Sequence, residues 1–140
     1  MASVFTYGTL TFPAVISALC GKKYVSELAT LRGYARYIVR RQVYPGALEE
    51  HGQSIDGRLY YGLSPGAVQA LDAFEGELYQ RQLAKVDIDD GPTISAYVYI
   101  VPPNLAFRLS DEPWDPDGFA RTHLDSYVRL GEELRRRRGP

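Results

Sequence analysis

The chain has 140 residues, 45% of them hydrophobic and 24% charged, which predicts one ordinary soluble globular domain spanning 1–140. Its 17 acidic side chains nearly balance 16 lysines and arginines, and the formal charge of −1 excludes global attraction to nucleic acid or acidic membranes. A single cysteine, Cys20, excludes an intramolecular disulfide, and no run approaches membrane-spanning length, so the expected setting is cytoplasmic.

From the N-terminus, residues 3–7 form a strand broken at Gly8. Thr9 or Thr11 then caps a helix with Pro13 in its first turn, Gly21 past its end, and Val15, Ile16, Leu19 and Cys20 on its buried face. Segments 24–31 and 34–39 are expected as strands around Gly33, and Tyr44-Pro45-Gly46 as a turn. Residues 54–61 alternate apolar and polar side chains, a half-buried strand. Ser64 and Pro65 start a helix that closes at Glu75-Gly76. Segments 78–88 and 93–101 pair as a hairpin across Asp89-Asp90-Gly91-Pro92, and Pro102-Pro103 ends the strand region. Residues 110–118 are loop-like and carry Trp114, while 119–137 form a helix with Phe119, Leu124, Tyr127, Val128 and Leu130 on its apolar side. The chain shows no internal repeat and no interdomain linker.

Several site types are absent. His51 and His123 have no cysteine or second histidine at metal-ligand spacing, and Asp87, Asp89 and Asp90 lack the calcium-loop pattern. Gly8 lies between strand and helix without a Walker loop or a dinucleotide fingerprint. The arginines at 135–138 close a helix, where cations favour the dipole, so a nucleic-acid role is set aside. Cys20 reads as a small core residue. No metal and no cofactor are implied.

Two features remain. In the helix that starts at Ser64, Val68, Leu71 and Phe74 define an apolar stripe, and at 100° per residue Glu75 falls on it. Burying a carboxylate there costs several kcal/mol, and the helix C-terminus also disfavours its anion. Both effects raise its pKa above the roughly 4.3 of a free glutamate, towards values useful for proton shuttling near neutral pH. The alternative is a Glu-Gly-Glu helix end left in solvent. The second feature is Tyr7-Gly8-Thr9-Leu10, where a strand stopping at glycine leaves backbone N–H groups able to hold a small carboxylate. The alternative there is a plain turn. Gly8 is expected to adopt a conformation or a close approach that a β-carbon would obstruct.

Together Tyr7-Gly8-Thr9-Leu10, Tyr44-Pro45-Gly46 and Leu71-Asp72-x-Phe74-Glu75-Gly76-x-x-Tyr79-x-Arg81 resemble the γ-glutamylcyclotransferase-like superfamily. Trp114 followed by Phe119, His123 and Tyr127 is similar to the branch of the avirulence-induced plant proteins and their bacterial and fungal relatives. The resemblance covers nearly the whole chain. It implies an α+β fold, a small mixed sheet curled into a barrel-like core with surrounding helices. It also implies an activity: cyclising a γ-glutamyl amine or γ-glutamyl peptide to 5-oxoproline with release of the amine. Glu75 would shuttle the proton, and Tyr7, Gly8, Thr9 and Leu10 would hold the glutamyl carboxylate. Tyr44, Tyr79, Arg81, Tyr97 and Tyr99 are further candidate substrate contacts. The expected partner is a small γ-glutamyl compound. Two other readings stay open: a small-molecule-binding protein without turnover, and an enzyme using Glu75 on an unrelated metabolite. Specificity is expected to lie in loops around 44–54 and 102–118.

Overall fold

The computed structural model describes residues 1–89 and 91–139. Five strands, β1 (Ala2–Thr6), β2 (Ser26–Ile38), β3 (Pro45–Leu63), β4 (Gln80–Ile88) and β5 (Thr93–Ile100), close into a barrel in the order β1-β3-β2-β4-β5. Every pairing is antiparallel except β5 with β1, which run parallel at Val4 and Tyr97. Around the barrel lie α1 (Pro13–Cys20), α2 (Pro65–Glu75) and α3 (Pro116–Arg138), with short 3₁₀ turns at Thr9–Thr11 and Pro103–Arg108. The expected α+β barrel is therefore observed, and the 78–88/93–101 hairpin forms as β4 and β5. Its predicted turn includes Asp90, which lies outside the described residues. Among the described residues no helix is long and apolar enough to cross a membrane.

Period-2 alternation divides the core. Phe5, Leu31, Ile55, Leu59, Val86 and Val98 fill the barrel interior. Val4, Tyr60, Leu63 and Tyr99 point outward and are covered by Ile16 and Leu19 of α1 and Val68 and Leu71 of α2. Barrel closure is tight where β3 crosses β1: a β-carbon on Gly57 would stand 2.1 Å from the Thr6 carbonyl oxygen. Only glycine lets the two backbones approach so closely. A similar approach seats α3 on α1, where a β-carbon on Gly131 would meet the Leu19 nitrogen at 3.1 Å.

Four expectations need correction. Segments 24–31 and 34–39 are one strand, β2, whose pairing with β3 shifts register between Arg32 and Tyr34, with Gly33 at φ +88° between them. Tyr44-Pro45-Gly46 is no free turn, since Pro45 and Gly46 open β3 opposite Ile38 and Tyr37. Proline is tolerated as the first residue of a strand, where its missing N–H breaks no ladder. Consequently 44–54 is mostly strand rather than loop; its polar run Glu49-Glu50-His51-Gly52-Gln53 hides the alternation. The cap of α1 is Phe12, with no side-chain hydrogen bond, and Thr9 and Thr11 belong to the preceding 3₁₀ turn. Lastly, α3 starts at Pro116, capped by Asp115, so part of the presumed loop 110–118 is its first turn. Asp followed by Pro is a helix start as well as a turn signal.

Candidate functional site

The end of β1, the start of β3, the C-terminus of α2 and the middle of α3 meet around a cavity of about 210 Å³. Its walls include Tyr7, Gly8, Thr9 and Leu10, then Tyr44, Pro45, Phe74, Glu75, Tyr79, Tyr99, Tyr127 and Leu130.

Glu75 reaches it because α2 is stopped there. Ser64 accepts a hydrogen bond from the Ala67 N–H at the start of the helix, and Pro65 follows it. At the other end Gly76, with φ +82°, turns the chain out of the helix and donates its N–H to the Asp72 carbonyl. Ala67, Val68, Ala70 and Leu71 are buried, and Glu75 continues the Val68–Leu71 face to the helix end. As a residue Glu75 stays partly exposed, through the cavity it lines. Its carboxyl, however, is enclosed by protein, and burial pushes its pKa from 4.5 up to about 8. Among the described residues no hydrogen bond or ion pair reaches that carboxyl. Burial is the cause that accounts for the shift.

The opposite wall is backbone. The Gly8 carbonyl accepts the Thr11 N–H at 2.9 Å, which tightens the loop. Among the described residues, the N–H groups of Gly8, Thr9 and Leu10 have no acceptor within the chain. A backbone N–H without a partner in the chain takes its acceptor from outside, and these three residues line the cavity. A β-carbon on Gly8 would stand 3.0 Å from the Pro45 ring, the close approach expected from sequence.

Tyrosine hydroxyls brace this arrangement. The Tyr7 hydroxyl donates to the Tyr99 carbonyl at 2.6 Å and accepts the Ala47 N–H at 3.0 Å. Burial pushes its pKa well up, and both its hydrogen-bonding roles are filled from within the protein. Arg36 donates to the Tyr7 carbonyl at 2.9 Å. Tyr79 donates to the Pro45 carbonyl at 2.6 Å. The Tyr99 hydroxyl donates to Asp72 Oδ1 at 2.7 Å, and Arg81 Nε meets the same oxygen at 2.8 Å.

Of the residues singled out from sequence, Tyr7, Gly8, Thr9, Leu10, Tyr44, Glu75, Tyr79 and Tyr99 thus surround one cavity. Arg81 and Tyr97 do not. They line a separate depression with Met1 and Val68, the Arg81 guanidinium lying 4.4 Å from the Tyr97 ring centre. Tyr97 shares a face with Tyr99 but sits two residues earlier in β5, about 7 Å from it along the strand. Phe74, Tyr127 and Leu130 line the cavity without having been singled out, because apolar residues on a helix stripe carry the same pattern as core. Asp72 was visible only as a motif letter; its partners Tyr99 and Arg81 come from another strand pair.

The sequence profile of the family described as "Gamma-glutamyl cyclotransferase, AIG2-like" matches residues 4–116. Among curated relatives, AIG2-like protein D of Arabidopsis thaliana is 24% identical over 139 residues, covering 96% of this chain and 89% of its own. AIG2-like protein C of the same plant is 29% identical over 146 residues, covering 98% and 80%. A solution structure of an Arabidopsis thaliana protein superposes with TM-score 0.69 at 20% identity, covering 99% of this chain and 93% of that one. A solved gamma-glutamyl cyclotransferase superposes with TM-score 0.66 at 14% identity, covering 94% and 78%. At such identities the superpositions speak for the fold, and the profile match for the family. The chain belongs to the gamma-glutamyl cyclotransferase, AIG2-like family.

Proposed function

We propose that this protein cyclises the γ-glutamyl group of a small γ-glutamyl amine or peptide to 5-oxoproline and releases the amine. The observation that carries this reading is the cavity itself: an unpartnered carboxyl with pKa near 8 shares about 210 Å³ with a loop whose N–H groups lack acceptors. That volume is below the roughly 300–1,000 Å³ of drug-sized ligand sites and suits a short, flexible group such as glutamyl.

In the proposed reaction the Gly8–Leu10 N–H groups take the substrate α-carboxylate, or steady the oxyanion as it develops. Ionised Glu75 removes a proton from the substrate's α-ammonium. The freed amine attacks the γ-carbonyl carbon, and a new C–N bond closes the five-membered ring. The tetrahedral centre then collapses as Glu75 gives its proton to the departing nitrogen and the bond to that nitrogen breaks. The second proton of the ring nitrogen then passes, again through Glu75, to the released amine, which leaves as an ammonium ion. Atoms balance without water, cofactor or an enzyme nucleophile. Glu75 is base and acid in turn, a role typically worth about 10²–10⁴-fold. Folding the glutamyl chain back on itself inside a small cavity supplies a further proximity term. A cytoplasmic setting fits the unpaired Cys20 and completes the proposal.

The test is 5-oxoproline release from a panel of γ-glutamyl amines, γ-glutamyl amino acids and glutathione. Turnover of at least one substrate, lost on Glu75→Gln, is the expected result. Silence across the panel by a folded protein that still binds γ-glutamyl ligands would leave a binding protein instead.

A further inference from the structure

Phe74 belongs to two cavities. On one side it walls the Glu75 site, and on the other it ends a larger trench of about 850 Å³ between α2, α3 and the end of α1. Both long walls are continuous with the site. On α2, Phe74 and Glu75 face the inner cavity, while Ala73, Ala70, Ala67 and Gly66 run outward along the trench. On α3, Tyr127 and Leu130 face the cavity, while Leu134 and the arginines beyond it face the trench. From Phe74 to Gly66 is eight residues, about 12 Å of helix. The α2 wall of this trench is mostly apolar, its alanines interrupted by Gln69, and Leu19 and Leu134 lie on the other walls.

The far part is cationic. Lys22, Arg135, Arg137 and Arg138 line it, and no acidic side chain is among its lining residues. Glu133 offsets part of this charge, holding Arg137 at 3.0 Å and also pairing with Arg136. Arg135 and Arg138 each donate one hydrogen bond to a carbonyl at the end of α1, Ala18 at 3.1 Å and Leu19 at 2.7 Å. Those bonds seat the two guanidiniums on the trench wall, and a guanidinium with five N–H groups keeps donors to spare. The N-terminus of α2, the positive end of its dipole, opens at the same place.

We propose that the trench receives the leaving amine of the substrate, and that it selects γ-glutamyl conjugates whose amine carries an apolar stem ending in an anion. Charge complementarity chooses the occupant: the stem lies along the alanine face of α2, and its terminal anion reaches the Lys22–Arg138 end. The inference rests on the cyclotransferase reading, since the inner cavity takes the glutamyl head.

A matched pair of substrates tests it. The γ-glutamyl derivatives of 8-aminooctanoate and of n-octylamine share a stem and differ only in the terminal carboxylate. The parent protein should favour the carboxylate by about tenfold in kcat/KM, and the preference should shrink as ionic strength rises. Lys22 and Arg137 are both exposed, so the Lys22→Glu/Arg137→Glu double variant should fold, and it should abolish or invert the preference. Ala73→Trp, also at an exposed position, should penalise octyl-length conjugates relative to γ-glutamyl methylamine. Equal kcat/KM for the pair in the parent protein, or a ratio untouched by the double reversal, overturns the proposal. Should neither be turned over while another γ-glutamyl compound of the panel is, the trench proposal is overturned; should the whole panel also be silent, the cyclotransferase reading fails on its own. Calorimetric titration with free 8-aminooctanoate then decides on the trench, expecting binding to the parent protein that weakens about tenfold in the double variant. No binding to the parent, or equal binding to both proteins, overturns it.

Discussion

Replacing Glu75 by glutamine separates chemistry from stability. The folded protein holds this carboxyl protonated up to about pH 8, whereas in the unfolded chain it ionises near 4.5. Between those values the folded state binds more protons than the unfolded one, so the stability of the parent protein falls as pH rises through that window. The penalty grows by about 1.4 kcal/mol per pH unit, reaching about 3 kcal/mol at pH 7 and levelling near 5 kcal/mol above pH 8. Glutamine keeps the shape and a polar head but does not ionise. Glu75→Gln should therefore match the parent protein near pH 4 and exceed it at pH 7 by about 3 kcal/mol, close to 10 °C in Tm for a chain of this size. Turnover should move the other way, falling at least about a hundredfold, because the amide carries no proton between the two nitrogens. Calorimetric melting across pH 4–9, with 5-oxoproline release on the same preparations, reads both. A Tm difference that does not change with pH refutes the buried-carboxyl argument. A folded glutamine variant with near-parental activity refutes the proton shuttle.

The same pKa predicts the pH profile: kcat/KM should rise about tenfold per pH unit up to about 8 and then flatten, and a limb already flat at pH 6 would remove Glu75 as the base. Gly8→Val places a side chain 3.0 Å from the Pro45 ring and should displace the loop, raising KM about tenfold or more while the protein stays folded; equal affinity for a γ-glutamyl ligand would take the loop out of binding. Tyr99→Phe removes the hydroxyl that Asp72 accepts at 2.7 Å and should cost about 2 kcal/mol in urea denaturation, and no loss would mean that Arg81 alone satisfies Asp72.

The sequence carried the site's chemistry further than its packing. Glu75 was legible because a carboxylate on an apolar stripe breaks a simple period, and Gly8 because glycine between strand and helix is strong punctuation. The hairpin of β4 and β5 was legible through alternation and its turn. What stayed hidden depends on contacts between distant segments. Gly57 reads as an ordinary residue in a strand; only the barrel brings the Thr6 carbonyl against it. The length of β3 is masked by the polar run 49–53. Tyr127 and Leu130 share one pattern with core residues of α3, and the crossing of α3 over the cavity decides which role they take. Tyr97 and Tyr99 illustrate the same limit in reverse: alternation puts them on one face, and the extent of the cavity divides them.

Four of the eleven tyrosines, Tyr7, Tyr60, Tyr79 and Tyr99, acquire a reason from the hydrogen bonds around the cavity. A cavity in a small protein loses packing contacts along its whole lining, so its walls need other support. Here the support is a relay. Asp72, one turn before Glu75, is held by Tyr99 on β5; the Tyr99 carbonyl is held by Tyr7 after β1; and the Tyr7 hydroxyl is held by Ala47 on β3. Tyr79 adds a strut to the Pro45 carbonyl, and Tyr60 another to Leu10 at the far end of the loop. The relay joins the helix that carries the carboxyl to the loop that carries the free N–H groups, fixing their separation without bonding to the Glu75 carboxyl or to those N–H groups. Each phenol gives the core a large apolar face and one directed bond, which an aliphatic side chain does not supply. The consequence is a site whose braces are mutually satisfied while its carboxyl and its loop amides remain without partners. Unmet groups of opposite hydrogen-bonding character, held apart by a rigid frame, are what a small zwitterionic ligand with protons to move requires.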